Sequence, residues 1–389
     1  MENKIIIYLG NFGRPEKNAA GKRVYGNTLL FNKLGYRVIL IGKSKNDEES
    51  NDPIKYGDNI EFYSFPKCSL YKTSVFIDYV SKVIKKVGVP GYIIRYGSPG
   101  LAEFDRRLLS FCKNRKIKLI ADVVDWLPSG GDNIFFNFIK GTDTFLEKGI
   151  YNRRSDGIIA ISSYLSDYYY QRGCRTVVIP PIVEDYSENN GDNSAIRVVY
   201  AGIPFRMGRK IKSPAEVKDR LDLAVRGIAR VIKRGVCVDF DIYGITKEQY
   251  LTAYPKDKQI IQEINEIRFH GKESMEFVQD AVNCADFTIL LRDRNRATMA
   301  GFPTKVVESI SCGTPVITTN TSDLDKYILN ERTGFIIESK GEENIVDELE
   351  EILGCDKSLL KTMKKYCFES RQFCYEKYEE AIKGFIAGL

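Results

Sequence analysis

The chain is poor in the residues from which most catalytic and metal centres are built. Its 389 residues include one histidine and one tryptophan. A lone His270, in RFHGKES just after a strand-like run, excludes a two-histidine metal face and gives no support to a histidine-dependent triad. Nine cysteines are scattered and odd in number, with no C-x-x-C pair. That pattern disfavours a zinc ribbon and a disulfide frame. It suits a reducing compartment, so a cytoplasmic location is expected. No apolar run approaches the roughly 20 residues that span a bilayer. The start, MENKIIIYLG, lacks a signal-peptide layout. A D-x-D at Asp239–Asp241 sits on an apolar-alternating strand, Val238–Gly244, and reads as structural. No other carboxylate or histidine cluster has ligand spacing, so neither a metal nor a cofactor is expected.

A chain this long accommodates two ordinary domains. With 43% hydrophobic and 28% charged residues it reads as globular. The net charge of +6 is concentrated in the first half, which suits an anionic lipid or acceptor as well as a merely solvated surface. No nucleic-acid partner is expected. Lys4–Leu9, Val38–Ile41, Tyr92–Arg95, Lys118–Val123, Asp156–Ser162 and Thr176–Ile179 read as strands. Helical patterns fall at Tyr25–Leu34, Tyr71–Val87, about Ala102–Lys113 and from Ser163 onward. Residues 44–58 read as a polar surface loop. In Tyr71–Val87 an apolar stripe (Phe76, Tyr79, Val80, Val83, Val87) is flanked by Lys72, Lys82, Lys85 and Lys86. Such a helix packs on a sheet or lies on an anionic membrane, the first being the commoner outcome.

Pro180-Pro181 and EDYSENNGDNS mark a hinge at about 183–195. Strand–helix alternation then restarts at Ile196–Tyr200 and runs through Phe287–Leu291 and Val316–Thr319. Two such series make an α/β chain of two Rossmann-like, doubly wound domains, 1–185 and 186–367. Ser322 and Asp323 are cap candidates for a further helix.

The second series is organised around Ala300–Thr319, AGFPTKVVESISCGTPVITT. Gly301, Pro303 and Thr304 form a turn into a helix whose Val306, Val307 and Ile310 face a core. Gly313 and Pro315 stop it before a β-branched strand. The free amides and positive dipole end at the helix start form an anion site. Glu308, a turn further in, would lie beside the vicinal hydroxyls of a ribose. The geometry suggests a clamp for a nucleoside diphosphate.

GFPTKVVES, followed by CGTPVI and TSDL, resembles the donor-site signature of retaining GT-B glycosyltransferases, the group 1 or family 4 enzymes of bacterial capsule and O-antigen synthesis. The resemblance implies a GT-B fold with the two domains facing across a cleft. It also implies that the C-terminal segment, about 368–389, packs back on the acceptor-binding first domain. It assigns Gly301, Phe302, Pro303, Thr304, Lys305 and Glu308 to the nucleotide-sugar donor. Where the family carries a first Glu, this chain has Ala300. Gly202-Ile203-Pro204 and Lys218-Asp219 are similar to the two ends of a G-x-P-x-K-K-D motif, with an insertion holding Arg206, Arg209, Lys210 and Lys212 between them. Lys218, with Arg206 second, matches the cation of the diphosphate. Gly202 and Arg292 approach the donor. Asn18, Gly21 and Arg23, in the loop after the first strand, line the acceptor side. Asp125 would orient an acceptor hydroxyl and Trp126 would stack on a sugar. Each of these aromatic and charged positions also has a plain structural reading.

The implied activity is metal-independent transfer of a sugar, with UDP as the first choice of carrier, to a glycan or lipid-linked acceptor, with peripheral contact to the inner face of the membrane. The alternative is an inactive nucleotide-sugar-binding subunit of a partner enzyme.

Overall fold

Short runs of Ile, Val and Leu, each too short for a helix and bounded by glycine or polar turns, form the two sheets of the chain. The computed structural model describes residues 4–15, 19–43, 53–65, 72–97, 101–126, 141–205, 207–208, 210–211, 216–338 and 341–389. The chain divides into two compact units. One comprises Met1–Glu184, Ala300–Phe302 and Phe373–Leu389; the other comprises Asp185–Met299 and Pro303–Gln372.

In the first unit eight strands run in the order β3-β4-β2-β1-β5-β6-β7-β8. They are β1 (Ile5–Gly10), β2 (Arg37–Gly42), β3 (Ile54–Lys55), β4 (Ile60–Ser64), β5 (Tyr92–Tyr96), β6 (Lys118–Val123), β7 (Gly157–Ala160) and β8 (Thr176–Val178). All pairings are parallel except β3 with β4. Helices α1 (Ala19–Lys33), α2 (Thr73–Val87), α3 (Ala102–Arg115) and α4 (Ser163–Tyr170) connect them. Side chains alternate between the faces of β1. Ile6 and Tyr8 join a core with Val24 and Leu30 of α1, while Ile7 and Leu9 join one with Val80 of α2 and Leu108 of α3. A side chain buried this fully contributes roughly 1.5–3 kcal/mol by leaving water.

Several expectations change here. Helix α1 begins at Ala19 rather than Tyr25, so Gly21 and Arg23 lie on a helix and not in a loop. No proline or β-branched residue obstructs Ala19-Ala20-Gly21-Lys22, and Val24 fixes its buried face. Within the expected loop 44–58, Ile54–Lys55 pairs with β4, a strand the sequence pattern did not reveal; 44–52 lie outside the described residues. Helix α2 packs on the sheet as expected, with Phe76, Val80, Val83 and Val87 buried and Tyr79 partly so.

In the second unit six parallel strands run in the order β11-β10-β9-β12-β13-β14. They are β9 (Ile196–Ala201), β10 (Val238–Tyr243), β11 (Ile267–Gly271), β12 (Phe287–Leu290), β13 (Val316–Thr319) and β14 (Gly334–Ile337). The principal helices are α5 (Leu221–Lys233), α6 (Met275–Asn283), α7 (Thr304–Ser311), α8 (Glu342–Leu353) and α9 (Lys357–Ser370). From Asp185 on, the stretch read as a hinge belongs to the second unit. Asn189 donates to the Ala285 carbonyl at 2.7 Å and to Thr314 at 2.8 Å, and Asn193 donates to the Cys284 carbonyl at 2.9 Å. Asparagine amides substitute here for backbone donors and pin irregular chain to the unit. His270 lies within β11, not after it. Asp323 stands at the start of the one-turn helix Leu324–Tyr327 but makes no capping hydrogen bond. It pairs instead with Lys326 at 3.3 Å.

The last helix, α10 (Glu379–Ala387), belongs to the first unit. Ile382, Phe385 and Ile386 enter the α1-side core, and Arg175 donates to the Gly384 carbonyl at 2.7 Å.

Candidate donor site and acceptor-side residues

The first strand of the second unit ends in Ala201-Gly202, and the chain then makes a closed excursion. The amides of Lys218 and Asp219 donate to the Pro204 carbonyl at 2.8 and 3.3 Å, and Phe205 bridges Val217 in antiparallel fashion. The segment inserted between the two motif halves therefore leaves and returns at one point. Gly202-Ile203-Pro204 adjoins Lys218-Asp219 despite the residues between. Arg206, Arg209 and Lys212 lie outside the described residues.

Asp219, buried beside that point, is the hub of a cluster. Its Oδ2 accepts from Lys305 Nζ at 2.5 Å and from the Tyr200 hydroxyl at 2.8 Å, and its Oδ1 accepts from Arg292 Nε at 2.7 Å. Burial would raise its carboxyl, but the Lys305 and Arg292 charges outweigh that and hold it well below the usual range. Lys305 projects from the first turn of α7, with its ammonium also 3.0 Å from the Tyr200 hydroxyl. Burial draws the Lys305 amine down to about 8. Asp219 pulls it upward, while Arg292 and the exposed Lys218 lower it further. One carboxylate is thus shared by two cations, with a third close enough to act on them.

Gly202 makes room for this arrangement. Its φ is +149°, and a Cβ there would stand 2.2 Å from Lys305 Nζ. The side-chain-free turn and the Lys305 ammonium occupy the same space. Helix α7 starts after Pro303, whose φ of −77° suits that entry. Thr304 and Lys305, at its first positions, have no intrahelical acceptor for their amides. Glu308 follows on the next turn, half-buried. Positive charge, outward amides and a carboxylate one turn away form an arrangement able to hold a polyanion next to a hydroxylated group, and to stabilise charge as it grows on a departing phosphate.

The structure therefore brings Gly202, Lys218, Arg292, Lys305 and Thr304 to one end of the second sheet, with Pro303 and Glu308 on the same helix. Asp219 was missed as a participant. Its only trace in the sequence is the Lys218-Asp219 pair, and its partner Lys305 is 86 residues away. Gly301 and Phe302 group with the first unit. There Phe302 is buried edge-on to Phe373, centroids 5.9 Å apart, which places its ring in a core rather than in a polar site. Ala300 is also fully buried, and its carbonyl accepts from Ser162 at 2.7 Å.

On β10, Asp241 accepts from Arg197 and Arg268, both at 2.9 Å, and pairs with His270 Nε2 at 2.7 Å. Burial would raise its carboxyl, yet the bonds from Arg268, His270 and Arg197 hold it at about 2. Its oxygens are committed to cations. Among the described residues no group of three or more His, Cys, Asp or Glu side chains is placed to hold a metal ion.

In the first unit Arg23 is buried and ion-paired to Asp122 at 2.7 Å, and it donates to the Ile179 carbonyl at 2.9 Å. The Tyr8 hydroxyl donates to the other Asp122 oxygen. Arg23 thus belongs to an interior network, not to an open loop. Gly21 lets α1 approach the Arg14 carbonyl, which a Cβ would meet at 2.4 Å. Asn18 lies outside the described residues. Asp125 and Trp126 follow β6. Asp125 is half-exposed and accepts from Lys148 Nζ at 3.1 Å. Trp126 meets Tyr168 edge-to-face at 4.5 Å, with Lys148 Nζ 5.7 Å from its ring centre. Lys148 had no signal in the sequence.

Residues 220–369 match the family model described as Glycosyl transferases group 1. No curated protein matches the chain in sequence. Solved structures resemble it along nearly its whole length. A sucrose-phosphate synthase from Thermosynechococcus elongatus superposes with a TM-score of 0.69 at 15% identity, covering 99% of this chain and 98% of its own. Anabaena Alr3699/HepE, solved in complex with UDP and glucose, gives 0.61 at 13% identity, covering 99% and 100%. The lipopolysaccharide outer core galactosyltransferase WaaB gives 0.63 at 14%, covering 99% of each.

Proposed function

We propose that the chain, which has a GT-B fold and matches the group 1 glycosyl transferase model over residues 220–369, is a glycosyltransferase that moves a sugar from UDP to a hydroxyl of a glycan or lipid-linked glycan, with retention and without a metal. The observation that carries the donor half is the Lys305 ammonium, lodged over Gly202 and shared with Asp219 beside Arg292 and Lys218. Lys218 and Lys305, with Arg206, hold the diphosphate. The Thr304 amide adds to them at the start of α7, and Glu308 binds the ribose. UDP is the preferred nucleotide because the Anabaena protein of the same fold was solved with UDP and with UDP-glucose. As the sugar leaves, negative charge grows on the β-phosphate, and preorganised cations lower that barrier.

Asp125 orients the acceptor hydroxyl, and Trp126 offers a ring for a sugar face. Capsule or O-antigen assembly is the expected setting, on the cytoplasmic side. The eight cysteines among the described residues are all unpaired, which fits a reducing compartment. Among the described residues no helix is long and apolar enough to cross a membrane.

A second reading has one specific motive: Ala300 presents no carboxylate where the family motif has its first Glu. It makes the chain a nucleotide-sugar-binding subunit without activity. The purified chain, incubated with a panel of UDP-sugars and short glycan acceptors, distinguishes them. Release of UDP together with a glycosylated product supports the enzyme. Binding of UDP with no release or transfer supports the subunit.

A further inference from the structure

The first unit contains a π-turn, Leu146–Tyr151, in which the Asn152 amide donates to the carbonyl of Glu147 five residues back. Such turns are costly and tend to occur where a side chain must be aimed. A single buried side chain grips both of its ends. Arg95, on β5, donates from Nη1 to the Glu147 carboxylate at 2.9 Å and from Nη2 to the Asn152 side-chain oxygen. Asn152 is itself buried and donates to the Tyr169 hydroxyl at 2.9 Å. Behind Arg95, Asp105 stands 3.3 Å from Nε. Burial pushes its carboxyl well above the usual range, against the pull of Arg95.

Lys148, next in sequence to the gripped Glu147, has its ammonium elsewhere. It is bonded to both the carbonyl and the carboxylate of Asp125 and lies over the Trp126 ring. The Lys148 side chain is only 9% exposed, so its charge is committed to those two residues.

We propose that Arg95, by clamping Glu147 and Asn152, holds the π-turn in the one register that sets Lys148 against Asp125 and Trp126, and that Lys148 is thereby the positioning residue of this acceptor-side pair. The assignment of the pair to the acceptor rests on the function proposed above, but the clamp does not. A helical continuation in place of the π-turn would change the spacing of Glu147 and Asn152 and let Arg95 hold only one of them. Glu147 is the removable half of the clamp, because Glu147→Gln keeps shape and loses charge.

The only tryptophan in the chain reports on this directly. Quenching of its emission is measured with iodide and with caesium at constant ionic strength. A cation beside an indole draws iodide in and keeps caesium away. Lys148→Met should lower the iodide quenching constant and raise the caesium constant, each about twofold. Glu147→Gln should move both in the same directions by at least half as much. Glu103→Gln, an exposed change on α3, should leave both unchanged. The clamp is refuted if Glu147→Gln behaves like the wild type while Lys148→Met shifts both constants. It is equally refuted if Lys148→Met shifts neither. A failed clamp with intact UDP binding would leave the donor assignment standing, and the reverse result would leave the clamp standing.

Discussion

Replacing Gly202 by alanine tests whether the turn exists to house the Lys305 ammonium. The new Cβ would stand 2.2 Å from Nζ and 2.4 Å from Cε, where ordinary contact begins at 3.4 Å. The ammonium must therefore retreat by more than an ångström from a position 2.5 Å from Asp219. A hydrogen bond to a charged group contributes about 1.5–3 kcal/mol. Losing the same placement toward a diphosphate would weaken UDP binding roughly 10- to 100-fold. Stability should suffer separately, by about 1–3 kcal/mol, because alanine is strained at φ +149°.

The two effects separate in a double-mutant cycle with Lys305→Ala, read by calorimetric titration of UDP and by thermal unfolding. In the Lys305→Ala background, Gly202→Ala should still cost stability but should cost no further affinity. If Gly202→Ala weakens UDP binding tenfold in both backgrounds, the turn acts on the nucleotide by some other route, and the cradle account is wrong.

Glu308→Ala should weaken UDP binding at least tenfold, about 1.4 kcal/mol, with unfolding unchanged; equal affinity in a folded variant would remove the ribose assignment. Lys218→Ala should lower turnover far more than melting temperature, since the side chain is exposed. Full activity would shift the diphosphate role to Lys305 and Arg206 alone. UDP affinity should fall as pH rises through about 8, where the Lys305 amine loses its proton. Because this folded-state value lies below the ordinary 10.5, the unfolded chain binds more protons between about pH 8 and 10.5. Over that window the Lys305 contribution makes stability rise with pH. Lys305→Met should abolish both trends, and a wild-type profile in that variant would assign them to another group.

Most strands were legible because a parallel sheet buries both faces of each strand and so demands continuous apolar runs. Lys118–Val123 and Val316–Thr319 were placed to the residue. The strand Ile60–Ser64 escaped notice because Glu61 and Ser64 interrupt its apolar pattern. Glu61 is compensated by Arg37 of the neighbouring strand at 2.5 Å, a pairing that exists only once the sheet has formed. The start of α1 was misplaced for a related reason. Arg23 reads as a solvated loop charge until Asp122, 99 residues on, accepts it inside the unit. The motif around Glu308 was legible as local turn and helix chemistry. Its partner Asp219 was not, because an insertion parts the motif halves and a bond to the Pro204 carbonyl rejoins them. Nothing in LEKGIY announces a π-turn, since its geometry depends on Arg95 gripping both ends.

The central claim is that the cations around Asp219 and the start of α7 form a nucleoside diphosphate site. A thermal-shift titration of the intact protein with UDP, GDP, ADP and CMP, each with magnesium and with EDTA, tests it most directly, because a ligand of the native state raises the melting temperature by mass action. The account predicts a saturable rise with UDP, smaller or absent with CMP, unchanged by EDTA and lost in Lys305→Ala. No rise with any diphosphate, or a rise that survives Lys305→Ala undiminished, would contradict it.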